Sequence, residues 1–389
     1  MHQIRTYNAI SSKGLNRFPT DSYLVTQDCE DPEAFLLRSH KLHTEIVPDS
    51  LVAVARAGAG VNNIPISDYT AKGIVVFNTP GANANAVKEL IVAGLLLGSR
   101  DIYGGMTYVQ ELGYMDDAGE MGKLLEKEKK RFAGTELVGR TLGVVGLGAI
   151  GSIIANSALD LGMNVIGYDP AISVEAAWQL SSRVKRMDSL EQLLAAADYV
   201  TLHVPAIPET KHLINSKSLG LMKKTAKILN FAREEIVSAD DMLAALNAGA
   251  LAGYISDFPA PNLLGRKDVL LMPHIGASTE EAEENCAVMA VDQLKDFLEN
   301  GNIHNSVNYP RTRMSRNGGS RITFSNNNVP KVLGSVLSVL ADSNLNIIDM
   351  VNKSRGEVAY NIIDIEGDVS QAVKDSIAKV NGVMGVRVL

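Results

Sequence analysis

The stretch LMPHIGAST, residues 271–279, sets a single histidine, His274, after a short apolar run and before a glycine-containing turn and an acidic, helix-patterned segment. An imidazole has an unperturbed pKa of about 6.5, so it can take and return a proton near neutrality. Upstream, NFAR (230–233) ends an apolar run on Arg233. A planar guanidinium grips a carboxylate and a neighbouring oxygen with two prongs, which a lysine cannot do. A third feature is GLGAIG at 146–151, in which Gly146, Gly148 and Gly151 enclose Ala149 and Ile150 between a strand-like run and a helix expected over 149–161. In such a turn the first glycine permits the tight bend and the second lets the backbone approach a pyrophosphate. The third allows close helix–strand packing, and the helix N-terminus offers its amides to the phosphates.

The glycine pattern alone is weak, but the next strand, MNVIGYD, ends on Asp169 eighteen residues after Gly151. A carboxylate there accepts hydrogen bonds from the ribose hydroxyls of a dinucleotide. The following PAIS contains no arginine to hold a 2'-phosphate, so NAD is expected rather than NADP. Each residue also has a plainer reading: Asp169 as a turn cap, Arg233 in an ion pair with Glu234 or Glu235, His274 as a buried, hydrogen-bonded structural histidine.

These groups need strands to carry them. Apolar runs at 141–146, 163–169, 199–205, 226–232, 251–258 and 269–276, separated by helical patterns, predict a parallel sheet covered on both faces, a doubly wound α/β domain over 93–276. Strand-like runs at 50–58 and 73–81, a helix over 85–99 and a long helix over 279–299 predict that the chain leaves a first, flavodoxin-like α/β domain (1–92) and returns to it (277–311). The very apolar LIVAGLLLG within 85–99 suits an interface between copies or a buried core helix equally well. The polar NYPRTRMSRNGGSR, 308–321, reads as a linker. Beyond it the order βαββαβ predicts a ferredoxin-like domain over 312–389. The cation-rich KLLEKEKKRF, 123–132, reads as a solvated amphipathic helix, with Lys130 or Arg131 able to reach a ligand.

Composition narrows the function classes. A formal net charge of -7 and a pI near 5.6 argue against nucleic acid as a partner, which usually meets a basic face. The two cysteines, Cys29 and Cys286, are far apart and lack neighbours at zinc spacing, so neither a disulfide scaffold nor a metal site is expected. The N-terminal segment has no apolar core of the signal-peptide kind, and the longest apolar stretch, Leu90–Gly98, falls short of the roughly 20 residues of a membrane span. A cytoplasmic protein with no membrane partner is the expectation.

With the glycine turn at mid-chain, LHVPAIPETKHLI at 202–214, NFAR at 230–233 and PHIGAST at 273–279, the chain resembles the D-isomer-specific 2-hydroxyacid dehydrogenases. Its last seventy or so residues look like an ACT domain. The resemblance implies a Rossmann-type NAD domain inserted in a substrate domain, with Arg233 on the substrate carboxylate and C2 oxygen and His274 as acid/base. It implies substrate contacts from the backbone of Ala59 and Gly60 in RAGAGVNN, and Arg56 is the first choice for a cation near a substrate phosphate. Along the cofactor it places His203, Val204, Pro205, Thr210, Phe231, Ala232 and Gly276, with Asp257 on the nicotinamide amide. The reaction so implied is NAD-dependent oxidation of D-3-phosphoglycerate by a homodimer or homotetramer, the ACT-like tail suiting feedback by L-serine on a biosynthetic step. Reduction of glyoxylate, hydroxypyruvate or another 2-oxo acid is the rival within the class, and an NAD-sensing regulator the rival outside it.

Two departures from the family pattern stand out. Where the family has a glutamate that hydrogen-bonds the catalytic histidine, this chain has Asn262, so His274 is expected to lack a dedicated carboxylate. In the tail the effector-binding residues correspond to Asn326, Asn328 and Asn346, but Asn326 replaces a histidine and Lys331 a glycine, so an altered response to serine is expected.

Overall fold

The computed structural model describes residues 1–389, the side chain of Glu175 excepted. It divides into two compact units, Met1–Asn83 with Thr279–Leu389, and Ala84–Ser278.

The second unit is built on seven parallel strands: β6 Thr141–Val145, β7 Asn164–Tyr168, β8 Lys185–Arg186, β9 Tyr199–Leu202, β10 Lys227–Asn230, β11 Gly253–Ser256 and β12 Val269–Leu271. They lie in the order β12-β11-β10-β9-β6-β7-β8. The continuous Val/Ile/Leu runs fit this because helices cover both faces, so inner strands such as β9 and β11 are buried at every residue. The order reverses between β6 and β9, the crevice where ligands bind in such sheets. Helix Ala84–Ser99 falls wholly in this unit and buries one face: Cβ atoms built on Gly94 and Gly98 would stand 3.0 Å from Phe231 and Ile255 side-chain carbons, so both glycines are there for close packing. The cation-rich run forms helix Ala118–Glu128 and a single tight turn to Phe132, with no residue buried.

The first unit holds two sheets. Five parallel strands, β1 His2–Thr6, β2 Tyr23–Thr26, β3 Ala34–Leu37, β4 Ala53–Arg56 and β5 Val75–Phe77, run β2-β1-β3-β4-β5 across the sheet, the flavodoxin-like order. The returning helix Glu280–Asn300 packs Cys286, Ala290, Leu294 and Phe297 into their core. Four antiparallel strands, β13 Ser320–Asn327, β14 Ile347–Arg355, β15 Val358–Ile365 and β16 Val383–Val388, with helices Val332–Asp342 and Gln371–Ala378, make the ferredoxin-like module.

The segment 308–321 is not a loose tether. Asn308 bonds Val76 N and Ile74 O at 2.9 Å each, and the Tyr309 hydroxyl donates to Thr70 O. Arg321 is fully buried and forms a two-pronged pair with Asp364 at 2.6 and 2.9 Å while donating to the carbonyls of Asn300, Met314 and Ser315. Polar composition suggested a linker because the partners of these groups are supplied from distant parts of the chain.

Candidate active site

The glycine turn can be checked atom by atom. Gly146 has φ +88°, a conformation L side chains rarely adopt, and a Cβ there would stand 2.6 Å from the His203 carbonyl oxygen. Gly151 would set its Cβ 1.9 Å from the Gly146 oxygen, so only glycine lets the helix start this close to β6. Gly148 differs: a Cβ there would meet nothing within 4 Å. It is the N-cap of helix Ala149–Asp160 and makes no side-chain cap, and the amides of Ala149 and Ile150 meet no protein acceptor among the described residues. An open cradle of uncapped amides fits the pyrophosphate of a dinucleotide. Asp169 lies beside it and accepts from Leu147 N at 2.8 Å and Ala171 N at 2.9 Å, so the carboxylate braces the glycine turn as well as capping its own.

Across the reversal point, His203 leaves β9 with its amide bonded to Val145 O at 2.7 Å, and its ring nitrogen Nε2 lies 2.9 Å from Thr201 Oγ1. The ring is partly buried, and desolvation pushes the imidazole down to about 3, so it is neutral near pH 7. Val204 and Pro205 follow on the loop. Thr210 closes it, its hydroxyl accepting from Ile207 N at 3.0 Å and donating to Pro205 O.

Phe231 and Ala232 lead from β10 to Arg233. Asn230, fully buried, holds this corner from inside: its Nδ2 donates to Arg233 O at 2.8 Å and its Oδ1 accepts from Ala232 N at 3.2 Å. The same Nδ2 lies 3.3 Å from the Tyr254 hydroxyl. The Arg233 guanidinium bonds Ala232 O at 2.6 Å and forms no ion pair with Glu234 or Glu235 among the described residues. The surface salt bridge is therefore set aside, and its remaining donors are free for a ligand.

His274 is exposed, which removes the buried structural alternative. Its ring packs on Phe258 at 4.7 Å between centroids, tilted by 53°, and takes no protein hydrogen bond among the described residues. Asn262 donates to Asp240 Oδ1 at 2.9 Å, engaged away from the histidine. The backbone of His274 is left-handed, φ +58°. What holds it is Asp257, 2% exposed, whose two carboxylate oxygens accept from Ile275 N at 2.8 Å and Gly276 N at 2.7 Å. A Cβ on Gly276 would stand 3.1 Å from that carboxylate, so Gly276 keeps the approach open. Sequence reasoning gave Asp257 to the cofactor and missed this clamp, as it missed the role of Asn230. The one available signal was a charged residue closing an otherwise apolar strand.

In the first unit, Arg56 donates from Nε to Arg38 O at 2.8 Å and from a terminal nitrogen to Gly60 O. The Ala59 carbonyl accepts from Asn78 at 2.6 Å. The amides of Ala59 and Gly60 meet no protein acceptor among the described residues, leaving two adjacent donors. In the ferredoxin-like module Asn326 is buried and shared: Asn361 donates to its Oδ1 at 2.7 Å, and Asn352 to Asn361 at 2.6 Å, a ladder across three strands. Asn328 bonds Gly356 O and Asn346 bonds Glu366. The register sets Asn326 opposite Ala359, whereas Asn346 adjoins Ile347, opposite Ile365 at the other end. Six residues of strand separate those ends, roughly 20 Å, so a single copy does not gather the three asparagines. Among the described residues no group of His, Cys, Asp and Glu is placed to hold a metal, and no helix is long and apolar enough to cross a membrane.

Residues 104–276 match the family described as D-isomer specific 2-hydroxyacid dehydrogenase, NAD binding domain. The chain is 33% identical over 350 residues to a D-3-phosphoglycerate dehydrogenase of Methanocaldococcus jannaschii, covering 88% of this chain but only 63% of that relative. It is 31% identical over 386 residues to the Escherichia coli D-3-phosphoglycerate dehydrogenase, covering 95% of this chain and 90% of the relative. Among solved structures it is similar to the NAD+-bound 3-phosphoglycerate dehydrogenase of Entamoeba histolytica, with TM-score 0.61 and 25% identity over 79% of this chain and 98% of the other.

Proposed function

The chain belongs to the D-isomer-specific 2-hydroxyacid dehydrogenases, and from that premise we propose that it oxidises D-3-phosphoglycerate to 3-phosphohydroxypyruvate with NAD. The observation that carries the reading is the joint presence of an uncapped glycine turn, an arginine with free donors and an exposed histidine at the carboxyl ends of one parallel sheet. Bound NAD would supply the hydride acceptor, and Asp169 with no following arginine favours it over NADP. Arg233 would fix the substrate carboxylate and C2 oxygen in one plane, and His274 would receive the hydroxyl proton at its exposed ring. The amides of Ala59 and Gly60 would serve the carboxylate, and Arg56 the phosphate. His203, neutral, would lie along the cofactor without adding charge. We take the protein to work in the cytoplasm as a homodimer or homotetramer. Binding of L-serine at Asn326, Asn328 and Asn346 would need residues from two copies.

A second reading, a nucleotide sensor without turnover, draws on the absence of a carboxylate partner for His274. One assay separates the readings. NADH formation followed optically with D-3-phosphoglycerate should proceed, and more efficiently than with NADP. Reduction of glyoxylate or hydroxypyruvate without phosphoglycerate oxidation would favour the reductase, and tight NADH binding with no turnover would favour the sensor.

A further inference from the structure

A cavity of about 500 Å³ opens at the amino ends of the strands of the second unit, beneath the starts of β6, β9, β10, β11 and β12 and thus at the opposite edge of the sheet from the glycine turn. Its volume lies within the roughly 300–1,000 Å³ of small-molecule sites. Five cations line it, Arg100, Arg140, Lys224, Lys227 and Lys267, in a protein whose formal net charge is -7. Three aspartates share the lining, and each is already occupied. Asp198 bonds Lys223 at 2.8 Å and Thr141 N at 2.9 Å, and Asp268 holds Arg266 with both oxygens at 2.8 and 2.7 Å. Asp101 caps a helix through Gly104 N at 2.9 Å.

The cations are not matched in the same way. Lys227 reaches only the Gly98 carbonyl, and burial holds its ammonium below the usual lysine range. The side chains of Arg100, Arg140, Lys224 and Lys267 have no hydrogen-bond or ion-pair partner among the described residues. Five cations face three carboxylates in this lining, two of which are already engaged by Lys223 and Arg266, so the recess keeps an excess of positive charge, which raises the local concentration of anions.

We propose that this cavity binds a small, multiply charged anion of the phosphate type, separately from the cofactor turn. The guanidinium groups of Arg100 and Arg140 can take phosphate oxygens in two-pronged fashion, and the lysines act as point charges. The apolar side chains of Ile255 and Leu270 leave room for a compact carbon body on a phosphate ester.

The test uses the full chain and inorganic pyrophosphate as the probe, followed by calorimetric titration with NADH at saturation so that the glycine turn is filled. The expected result is one-to-one binding with Kd below about 1 mM that weakens as salt rises. The triple variant R140Q/K224Q/K267Q removes three exposed side chains without internal bonds, so its thermal unfolding without pyrophosphate should match the parent. Its affinity should fall at least about tenfold. Equal affinity in the triple variant, or no binding up to about 10 mM, would overturn the proposal. Failure of NADH to bind would strike at the nucleotide reading instead, and the parent-versus-variant comparison would still decide this one.

Discussion

Two turns in the second unit face the same task by different means. The first, after β6, adopts φ +88° at Gly146; the second, after β12, adopts φ +58° at His274. At the first, the residue type itself removes the conformational cost, and the neighbouring backbone closes in to within 2.6 Å of a would-be Cβ. At the second the residue is a histidine, the proposed acid/base, so the strain remains, of order 1–2 kcal/mol for an L-residue, and an external brace has to hold it. Asp257 is that brace. A turn that only has to be a shape can be written in glycines, whereas a turn that must also carry a reactive group needs a support from elsewhere in the chain.

The glycine turn is the more sensitive of the two to substitution. Gly151→Ala forces a methyl to within 1.9 Å of a backbone oxygen, so the helix must retreat from β6. A loss of about 3 kcal/mol of unfolding free energy is expected, the upper part of the range for overpacking. NADH affinity should fall with it, read by denaturant titration and fluorescence quenching. Retention of both would mean that the turn is less tightly built than its geometry states.

The histidine side breaks through Asp257→Asn. An amide offers one acceptor where two main-chain donors, Ile275 N and Gly276 N, now meet carboxylate oxygens, so one donor is left facing an NH2 group. Loss of one bond to a charged group, about 1.5–3 kcal/mol, should loosen the turn and lower kcat roughly 10- to 100-fold. A rise confined to the KM for NAD would return Asp257 to the cofactor contact expected from the family pattern.

This contrast also explains what could be read from the sequence. The glycine turn, Asp169 and the strands themselves are local or periodic signals: each glycine has its own short-range reason, and apolar runs of strand length declare a buried sheet. The clamp on His274 joins residues eighteen positions apart through main-chain amides, which have no sequence identity to read. The same holds for Asn230 behind Arg233, and for Arg321, whose buried pairing with Asp364 turned an apparent linker into a docked segment. The asparagines of the module matched in type, but strand register, invisible to a residue-by-residue match, keeps Asn326 and Asn346 at opposite ends of the sheet.

The two histidines at these turns differ in their surroundings as well. His203 sits against Gly146 and is held neutral by burial, its pKa pushed down to about 3, whereas His274 is exposed. A folded-state pKa below the unfolded value of about 6.5 means that the unfolded chain binds the extra proton between the two. The stabilisation is therefore complete above about pH 6.5 and is lost as pH falls toward 3. By pH 5 the loss is about 2 kcal/mol, from roughly 1.5 pH units at 1.36 kcal/mol each. Urea unfolding at pH 7 and pH 5 should show His203→Gln less sensitive to acid than the parent by that amount. Equal sensitivity would mean that the ring is hydrated in solution.

The smallest expected effect concerns a third turn that has neither solution. Lys331 adopts φ +77° at the N-cap of helix Val332–Asp342, makes no side-chain cap, and stands where the family pattern has glycine. Its strain of order 1–2 kcal/mol has no clamp of the Asp257 kind and no chemistry that requires the side chain. Lys331→Gly removes that strain and adds back roughly 0.5–1 kcal/mol of unfolded-state freedom, leaving a net gain of about 0.5–1 kcal/mol. Lys331→Ala keeps the Cβ and the strain, so it should gain nothing. Thermal unfolding of the two variants side by side isolates the conformational cause, with the glycine variant raised by about 2 °C and the alanine variant unchanged. If both rise alike, the lysine charge at the positive end of the helix dipole, and not the backbone, was the cost.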